Sequence, residues 1–274
     1  MHFLQRLTAA QQRRDSLLCV GLDPEPERFP APWQGDPARI FDFCSAIVDA
    51  TKDLVCAFKP QIAYFAAHRA EEQLERLMGY IRRVAPDVPV ILDAKRGDIG
   101  STAEQYAREA FVRYQADALT LSPFMGFDSI EPYLAYDGRG LILLCRTSNP
   151  GGNDLQSQPL ASGERLFEYI ARLAAGPWNK SGRLGLVVGA TYPAEVARVR
   201  ELAPTLLLLI PGIGAQGGDA GATVAAGWRP EGPIVVNSSR AVLYAGRGEG
   251  FALAAREAAR ATRDLLAAAR RLNA

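Results

Sequence analysis

Residues 89–106 read PVILDAKRGDIGSTAEQY. The stretch opens on an apolar run, Val90-Ile91-Leu92, of the kind a strand buried on both faces requires. It then changes abruptly to Asp93, Lys95, Arg96 and Asp98, and a helical pattern starts behind them. Strand side chains alternate with a period of two, so a strand that continues through Asp93 and Lys95 points both heads the same way. A carboxylate and an ammonium then sit side by side at the carboxyl end of a buried strand, where α/β sheets and barrels keep their chemistry. Taken alone, a D-x-K pair is as readily a salt bridge closing a strand end. What the other strands end in separates the two.

Outward from this stretch, buried-strand candidates recur at Leu17–Leu22, Leu54–Phe58, Val88–Leu92, Ala118–Leu121, Leu141–Cys145, Leu184–Val188, Leu206–Ile210 and Ile234–Val236. Helical patterns fall between them at Pro37–Thr51, Glu71–Ala85, Thr102–Tyr114, Gly163–Ala175, Ala194–Leu202 and Ala220–Ala226, with only a short, weak one around Asp128–Tyr136. Strands alternating with helices imply parallel pairing through right-handed crossovers. Eight such units without a linker or composition break favour one closed (β/α)8 barrel over residues 1–274 rather than an open doubly wound sheet. Residues 2–14 read as a short amphipathic helix covering one end, and Gly250–Leu272 as a long helix after the eighth strand.

Composition narrows the function. Lys plus Arg is 31 against 30 for Asp plus Glu, which gives no reason to expect nucleic acid or an anionic membrane as partner. The cysteines Cys19, Cys44, Cys56 and Cys145 lack C-x-x-C spacing and are expected as buried free thiols. With only His2 and His68, histidine acid–base chemistry and a multi-histidine metal site are not expected. The start, MHFLQRLTAAQQRRDS, has no apolar core like that of a signal peptide, and no run approaches the ~20 residues that span a bilayer. A soluble cytoplasmic protein is expected.

In a barrel the residues after each strand share one mouth. Here they are Gly21-Leu22-Asp23-Pro24, Phe58-Lys59-Pro60-Gln61, the Asp93–Asp98 cluster, Arg146-Thr147-Ser148-Asn149-Pro150-Gly151-Gly152, Pro211-Gly212-Ile213-Gly214-Ala215-Gln216-Gly217-Gly218-Asp219, and Asn237-Ser238-Ser239-Arg240. Each has a plainer reading: Lys59 as a snorkelling surface lysine, Asp23 as a turn residue, the glycines as tight turns. Set beside NSSR, however, the GIGAQGG stretch has the makings of a phosphate cradle of backbone N–H groups, a helix N-terminus and an arginine. Thr147 and Ser148 cannot be told apart by position. Ser101-x-x-Glu104 fits a capping box and predicts where the third helix starts. Two ammonium groups, two carboxylates and a phosphate grip suit a small phosphorylated substrate handled by fixed charges and a lysine proton donor. A Schiff-base lysine enzyme fits nearly as well. A silent nucleotide-binding barrel fits less well, since a binder gains little from setting Asp93 beside an anionic ligand.

Together the motifs, from LLCVGLDP at Leu17 to NSSRAVLYA at Asn237, resemble the orotidine 5′-phosphate decarboxylase family in its longer bacterial, type 2 form. The family pattern D-x-K-x-x-D is matched by Asp93, Lys95 and Asp98. Keto-gulonate-phosphate decarboxylases and hexulose-phosphate synthases share that pattern, use Mg²⁺, and carry an acidic residue where Lys59 stands here. The lysine therefore points to the metal-free branch. The resemblance implies a TIM barrel that decarboxylates orotidine 5′-phosphate to UMP without cofactor or metal, in a homodimer with shared active sites. It implies a catalytic charge array of Lys59, Asp93, Lys95 and Asp98, with Asp98, Ile99 and Thr102 reaching across the dimer interface. By the same resemblance Asp23, Lys59, Asp98 and Thr102 hold ribose hydroxyls, and Ser148 and Gln216 address the pyrimidine. Pro211 and Ile213 line the site, Gln216 and Arg240 grip the phosphate, and loop 212–219 closes over it. Ser239 stands where many members have glycine before the arginine.

Overall fold

The eight apolar runs become eight parallel strands, each long enough to cross the molecule once. The computed structural model describes residues 2–213 and 218–273. The strands are β1 (Leu18–Leu22), β2 (Ala57–Pro60), β3 (Ile91–Arg96), β4 (Ala118–Leu121), β5 (Gly140–Arg146), β6 (Leu184–Val188), β7 (Leu207–Pro211) and β8 (Ile234–Ser238). The α-helices are α1 (Phe3–Arg14), α2 (Ile40–Thr51), α3 (Ile62–Ala66), α4 (Glu71–Val84), α5 (Gly100–Arg108), α6 (Gly152–Leu155), α7 (Leu166–Ala175), α8 (Pro193–Leu202), α9 (Ala220–Gly227), α10 (Arg240–Leu243) and α11 (Phe251–Leu272). Ladder pairing runs β2-β1-β8-β7-β6-β5-β4-β3. The ring closes between β2 and β3 through two isolated parallel bridges, Phe58 to Val90 and Gln61 to Asp93. That seam is the most sparsely bonded of the eight.

Strand alternation sorts the apolar residues into two cores. One set faces outward onto the helices, among them Val20, Phe58, Leu92 and Val236. The other fills the barrel interior: Cys19, Ala57, Ile91, Ala118, Ile142, Val187, Leu207, Leu209 and Val235. The N-terminal helix closes the floor of this interior, as its pattern predicts. Phe3, Leu7 and Ala10, at i, i+4 and i+7, join the inner core, and a Cβ on Gly140 would come within 2.2 Å of the Phe3 ring. Polar contacts fix the helix: Gln11 Nε2 donates to the Ile234 carbonyl at 2.7 Å, and Arg6 pairs with Asp117. At the other terminus α11 lays Phe251, Ala255 and Ala259, one every four residues, against the α2 and α9 flank. Among the described residues no helix is long and apolar enough to cross a membrane. All four cysteines are free and buried, as expected.

Several boundaries move. The second strand is Ala57–Pro60, not Leu54–Phe58, because Leu54 and Val55 are buried in the turn leaving α2. The third runs Ile91–Arg96, not Val88–Leu92, so the charged residues lie on the strand itself. Apolar runs mark burial, and here the strands continue past it into polar sequence. The Thr102–Tyr114 pattern begins at Gly100 and loosens into a π-helical turn at Glu109–Arg113. Ser101 is not a cap: the helix's N-cap is Ile99 and no side chain caps it. The weak Asp128–Tyr136 signal corresponds to two 3₁₀ turns, Phe127–Ser129 and Glu131–Ala135.

At the barrel's lower rim one unheralded residue binds three segments. Arg200 of α8 is buried and donates to the carbonyls of Gly227, Ala203, Pro204, Leu206 and Pro233 at 2.6–3.1 Å. Burial lowers its pKa to about 10. Arg200→Met keeps the stem but leaves those carbonyls without a donor. Several buried acceptors at ~1–3 kcal/mol each predict a loss of at least about 3 kcal/mol. Urea unfolding that shows a change under about 1 kcal/mol contradicts this account of the rim.

Candidate active site

The site is the next storey of the same alternation. Two residues beyond the inner-core Ala57, Ile91, Ala118, Ile142 and Val235 come Lys59, Asp93, Thr120, Leu144 and Asn237. The floor is apolar and the layer above it is polar. Lys59 is 4% exposed and Asp93 7%, so Lys59 is no snorkelling surface residue. Lys59 Nζ donates to Asp93 Oδ2 at 2.8 Å, and Lys95 Nζ donates to Asp93 Oδ1 at 2.7 Å. Thr120 Oγ1 donates to the same Oδ1 at 2.9 Å. The first of these bonds spans the β2–β3 seam.

Burial by itself raises the Asp93 carboxyl, but Lys59 and Lys95 outweigh it and hold the group well below the usual carboxylate range. Burial likewise opposes the Lys59 ammonium, yet Asp93 and Asp23 push its pKa above the ordinary lysine value. Lys59 thus stays protonated, which fits a fixed cation and not an imine-forming nucleophile.

Lys95 reaches Asp93 by a less regular route than simple pleating. Its φ is +48°, in the left-handed region that β-strands avoid. The β3–β4 register passes from Leu92–Leu119 to Arg96–Leu121, so β3 bulges between these pairs. The Ala94 and Lys95 amides both donate to Thr120 Oγ1 at 3.0 Å. The same-face expectation for Asp93 and Lys95 is met in outcome, with a bulge in place of a regular strand.

Two cavities meet on this array. A polar one of about 230 Å³ is lined by Asp23, Gln61, Tyr64, Ile213 and Ser238–Ala241. A more apolar one of about 560 Å³ is lined by Thr120, Leu144, Thr147, Ser148, Val187 and Leu209. Lys59, Asp93, Lys95 and Pro211 belong to both. Asp23, Ser148, Pro211, Ile213 and Arg240 therefore converge with the charge array, as the sequence suggests. Asp23 Oδ1 and Asn237 Oδ1 are buried without a hydrogen-bond partner among the described residues. Asp23 is anchored through its backbone: the Tyr244 hydroxyl donates to the Asp23 carbonyl at 2.9 Å and accepts from the Glu25 amide at 2.7 Å. Thr147 is tied into its own loop, accepting from Gln156 Nε2 at 2.9 Å and contacting Asn149 Oδ1 at 2.6 Å. Ser148 packs over Gly189, where a Cβ would lie 2.7 Å from the serine's own.

The phosphate-cradle expectation divides. Ser239, Arg240 and Ala241, after β8, line the polar cavity. The helix after β7 is capped by Asp219, whose carboxylate accepts from the Ala222 amide at 2.8 Å, whereas α10 after β8 follows Ser239 with no side-chain cap. Gln216 lies outside the described residues. Ser239 turns back over β1: Asn237 Nδ2 donates to its Oγ at 3.1 Å, and a Cβ on Gly21 would come within 1.9 Å of that oxygen.

Asp98, Ile99 and Thr102 line neither cavity of their own chain. The Asp98 carboxylate accepts from the Ile99 amide at 2.9 Å, and Ile99 and Thr102 are exposed. After β4 and β5 stand further exposed apolar side chains, Phe124 (76%), Met125 and, at the end of α6, Leu155. Sequence reading missed Thr120, whose position two residues beyond the inner-core Ala118 was the available signal. Among the described residues, no cluster of His, Cys, Asp or Glu is grouped to hold a metal ion.

A sequence model of the "Orotidine 5′-phosphate decarboxylase / HUMPS family" matches residues 16–254. The chain is 76% identical over 273 residues to an orotidine 5′-phosphate decarboxylase of Paracidovorax citrulli, covering 98% of this chain and 100% of that one. It is 74% identical over 278 residues to one of Methylibium petroleiphilum, with the same two shares. Among solved structures it superposes on Leishmania donovani OMP decarboxylase with a TM-score of 0.86 and 38% identity, covering 98% of this chain and 99% of that one.

Lys59→Met leaves the buried Asp93 with Lys95 as its only ammonium. Breaking a buried pair from one side predicts a loss of about 3–5 kcal/mol in chemical denaturation. A loss under about 1 kcal/mol would show that the pair does not hold the seam. The pair's own pH dependence follows from its two shifts. Asp93 is depressed, so its contribution is complete above the unfolded value of ~3.9 and is lost as pH falls through the lower folded value. Lys59 is raised, so its contribution is complete below ~10.4 and is lost as pH rises through the higher folded value.

Proposed function

The chain belongs to the orotidine 5′-phosphate decarboxylase / HUMPS family, and on that footing we propose that it decarboxylates orotidine 5′-phosphate to UMP, a step of de novo pyrimidine biosynthesis. The observation that carries this reading is the Lys59–Asp93–Lys95 array at the junction of a polar and an apolar cavity. A nucleotide monophosphate has the matching shape: an anionic ribose phosphate for the first cavity and a flat base for the second. The family's Mg²⁺-dependent branch carries an acid where Lys59 stands, so the lysine favours the metal-free reaction.

The C6 carboxylate is seated in the shared zone, beside Asp93. Like charges at ~4 Å repel by about 4 kcal/mol at an effective dielectric of 20. Such stress speeds the reaction only where it is relieved in the transition state and where binding elsewhere outweighs it. The C6–carboxyl bond breaks, CO₂ leaves, and the electron pair stays on C6 in the ring plane. The Lys95 ammonium faces that pair as a preorganised cation and then passes its proton to C6. Its amine is reprotonated from water. Asp23 Oδ1, buried without a partner among the described residues, supports a ribose-hydroxyl contact, with Lys59 alongside. Arg240 holds the phosphate, Ser148 addresses the base, and Pro211 and Ile213 wall the site. Gln216 is assigned to base and phosphate from the resemblance.

The working form is a homodimer in which Asp98, Ile99 and Thr102 reach the neighbour's site. Their absence from their own chain's cavities and the exposed apolar rim of Ile99, Phe124, Met125 and Leu155 support this.

With excess EDTA present, purified protein is expected to convert orotidine 5′-phosphate to UMP, followed by loss of orotate absorbance. Lys95→Ala is expected to lower kcat by at least about 10³-fold while still binding UMP. Activity that vanishes with EDTA and returns with Mg²⁺ refutes the metal-free reading, and unchanged turnover in Lys95→Ala removes it as proton donor. For the shared site, Lys95→Ala and Asp98→Ala chains are each nearly inactive alone. Mixed and allowed to exchange, they should recover roughly a quarter of wild-type activity, since half the dimers then hold one intact site. No recovery on demonstrated exchange places Asp98 in its own chain's site.

A further inference from the structure

Bulging β3 leaves the amides of Ala94 and Lys95 beside Thr120 of the neighbouring strand, and one hydroxyl serves both. A hydroxyl has one donor and two acceptor positions. Thr120 uses all three: Oγ1 accepts from the two amides at 3.0 Å each and donates to Asp93 Oδ1 at 2.9 Å. That carboxylate oxygen is also the one Lys95 Nζ holds at 2.7 Å. Thr120 thus touches both ends of the Lys95 residue, its left-handed backbone directly and its ammonium through Asp93. From inside the larger cavity it also faces the apolar Leu144, Val187 and Leu209, which offer the bulge no alternative acceptor.

We infer that Thr120 is a positioning residue for the decarboxylation, whose hydroxyl fixes the β3 bulge and so aims the Lys95 ammonium at the reacting carbon. The inference rests on the reaction proposed above. Thr120 takes no proton and makes no bond in the reaction. It holds the proton donor in register with Asp93, while the phosphate and ribose contacts lie in the other cavity.

The discriminating variant is Thr120→Val, which keeps the branched shape and removes the hydroxyl. Its kcat is expected to fall about 100-fold with KM within about three-fold, the penalty typical of a group displaced by an ångström. Thr120→Ser, which restores the oxygen, should keep kcat within about three-fold of wild type. Independently of turnover, amide exchange at Ala94 and Lys95 should accelerate in Thr120→Val and not in Thr120→Ser, with Leu92 unchanged in both. Should Thr120→Val not fold, Thr120→Ala against Thr120→Ser reads the same hydroxyl. A hydroxyl-free variant with serine-like kcat, a serine variant as slow as valine, or an effect confined to KM overturns the inference. A wild-type protein without turnover overturns the proposed reaction instead, and the exchange measurement still decides whether Thr120 holds the bulge.

Discussion

An ion pair across a seam organises this molecule. β2 and β3 meet through two isolated bridges instead of a continuous ladder, and Lys59 to Asp93 crosses the gap between them. Two buried charges are costly to desolvate and stay ionised only with close partners of opposite sign. Asp93 therefore needs Lys59, Lys95 and Thr120 together, and each of them comes from a different place on the ring or from the bulge. The same requirement holds both ammonium groups in place on one carboxylate, as the proposed reaction needs of a preorganised cation.

The two ends of the barrel meet opposite demands with different chemistry. At the floor, Phe3 and Leu7 plug the interior and Arg200 uses its full fork on carbonyls. At the mouth, buried oxygens of Asp23 and Asn237 have no hydrogen-bond partner among the described residues, a cost of ~1–3 kcal/mol each that a bound ligand can remove. Stability is concentrated below and unmet hydrogen-bonding capacity above, the division expected of this architecture.

The barrel was legible because eight apolar runs recur between helical patterns, and the Asp93–Lys95 pair was read from alternation, although a bulge and not a regular strand brings the two together. Strand ends were less legible. β2 and β3 begin later and run further than their apolar segments, since burial of a segment does not say where pairing stops. Thr120 was invisible by type, because threonine is an ordinary strand residue. Counting two on from Ala118 would have exposed it. The Ser101 capping box failed because a side chain able to cap a helix is recognised from sequence, but the residue that does so is fixed by backbone geometry. Asp98 lines neither cavity of its own chain.

The contact between Gly21 and Ser239 carries a consequence for how such a site can change over generations. The serine oxygen occupies the space that any side chain at position 21 needs, 1.9 Å from its Cβ. Substitutions at the two positions are therefore ordered. Ser239→Gly first removes the obstruction and leaves Asn237 Oδ1, at 3.1 Å, as the nearest remaining neighbour among those described. Gly21→Ala first drives a methyl into the serine beside Arg240, which lines the polar cavity. A side chain at position 21 and serine at position 239 therefore exclude one another, and any exchange between the two forms passes through glycine at both positions.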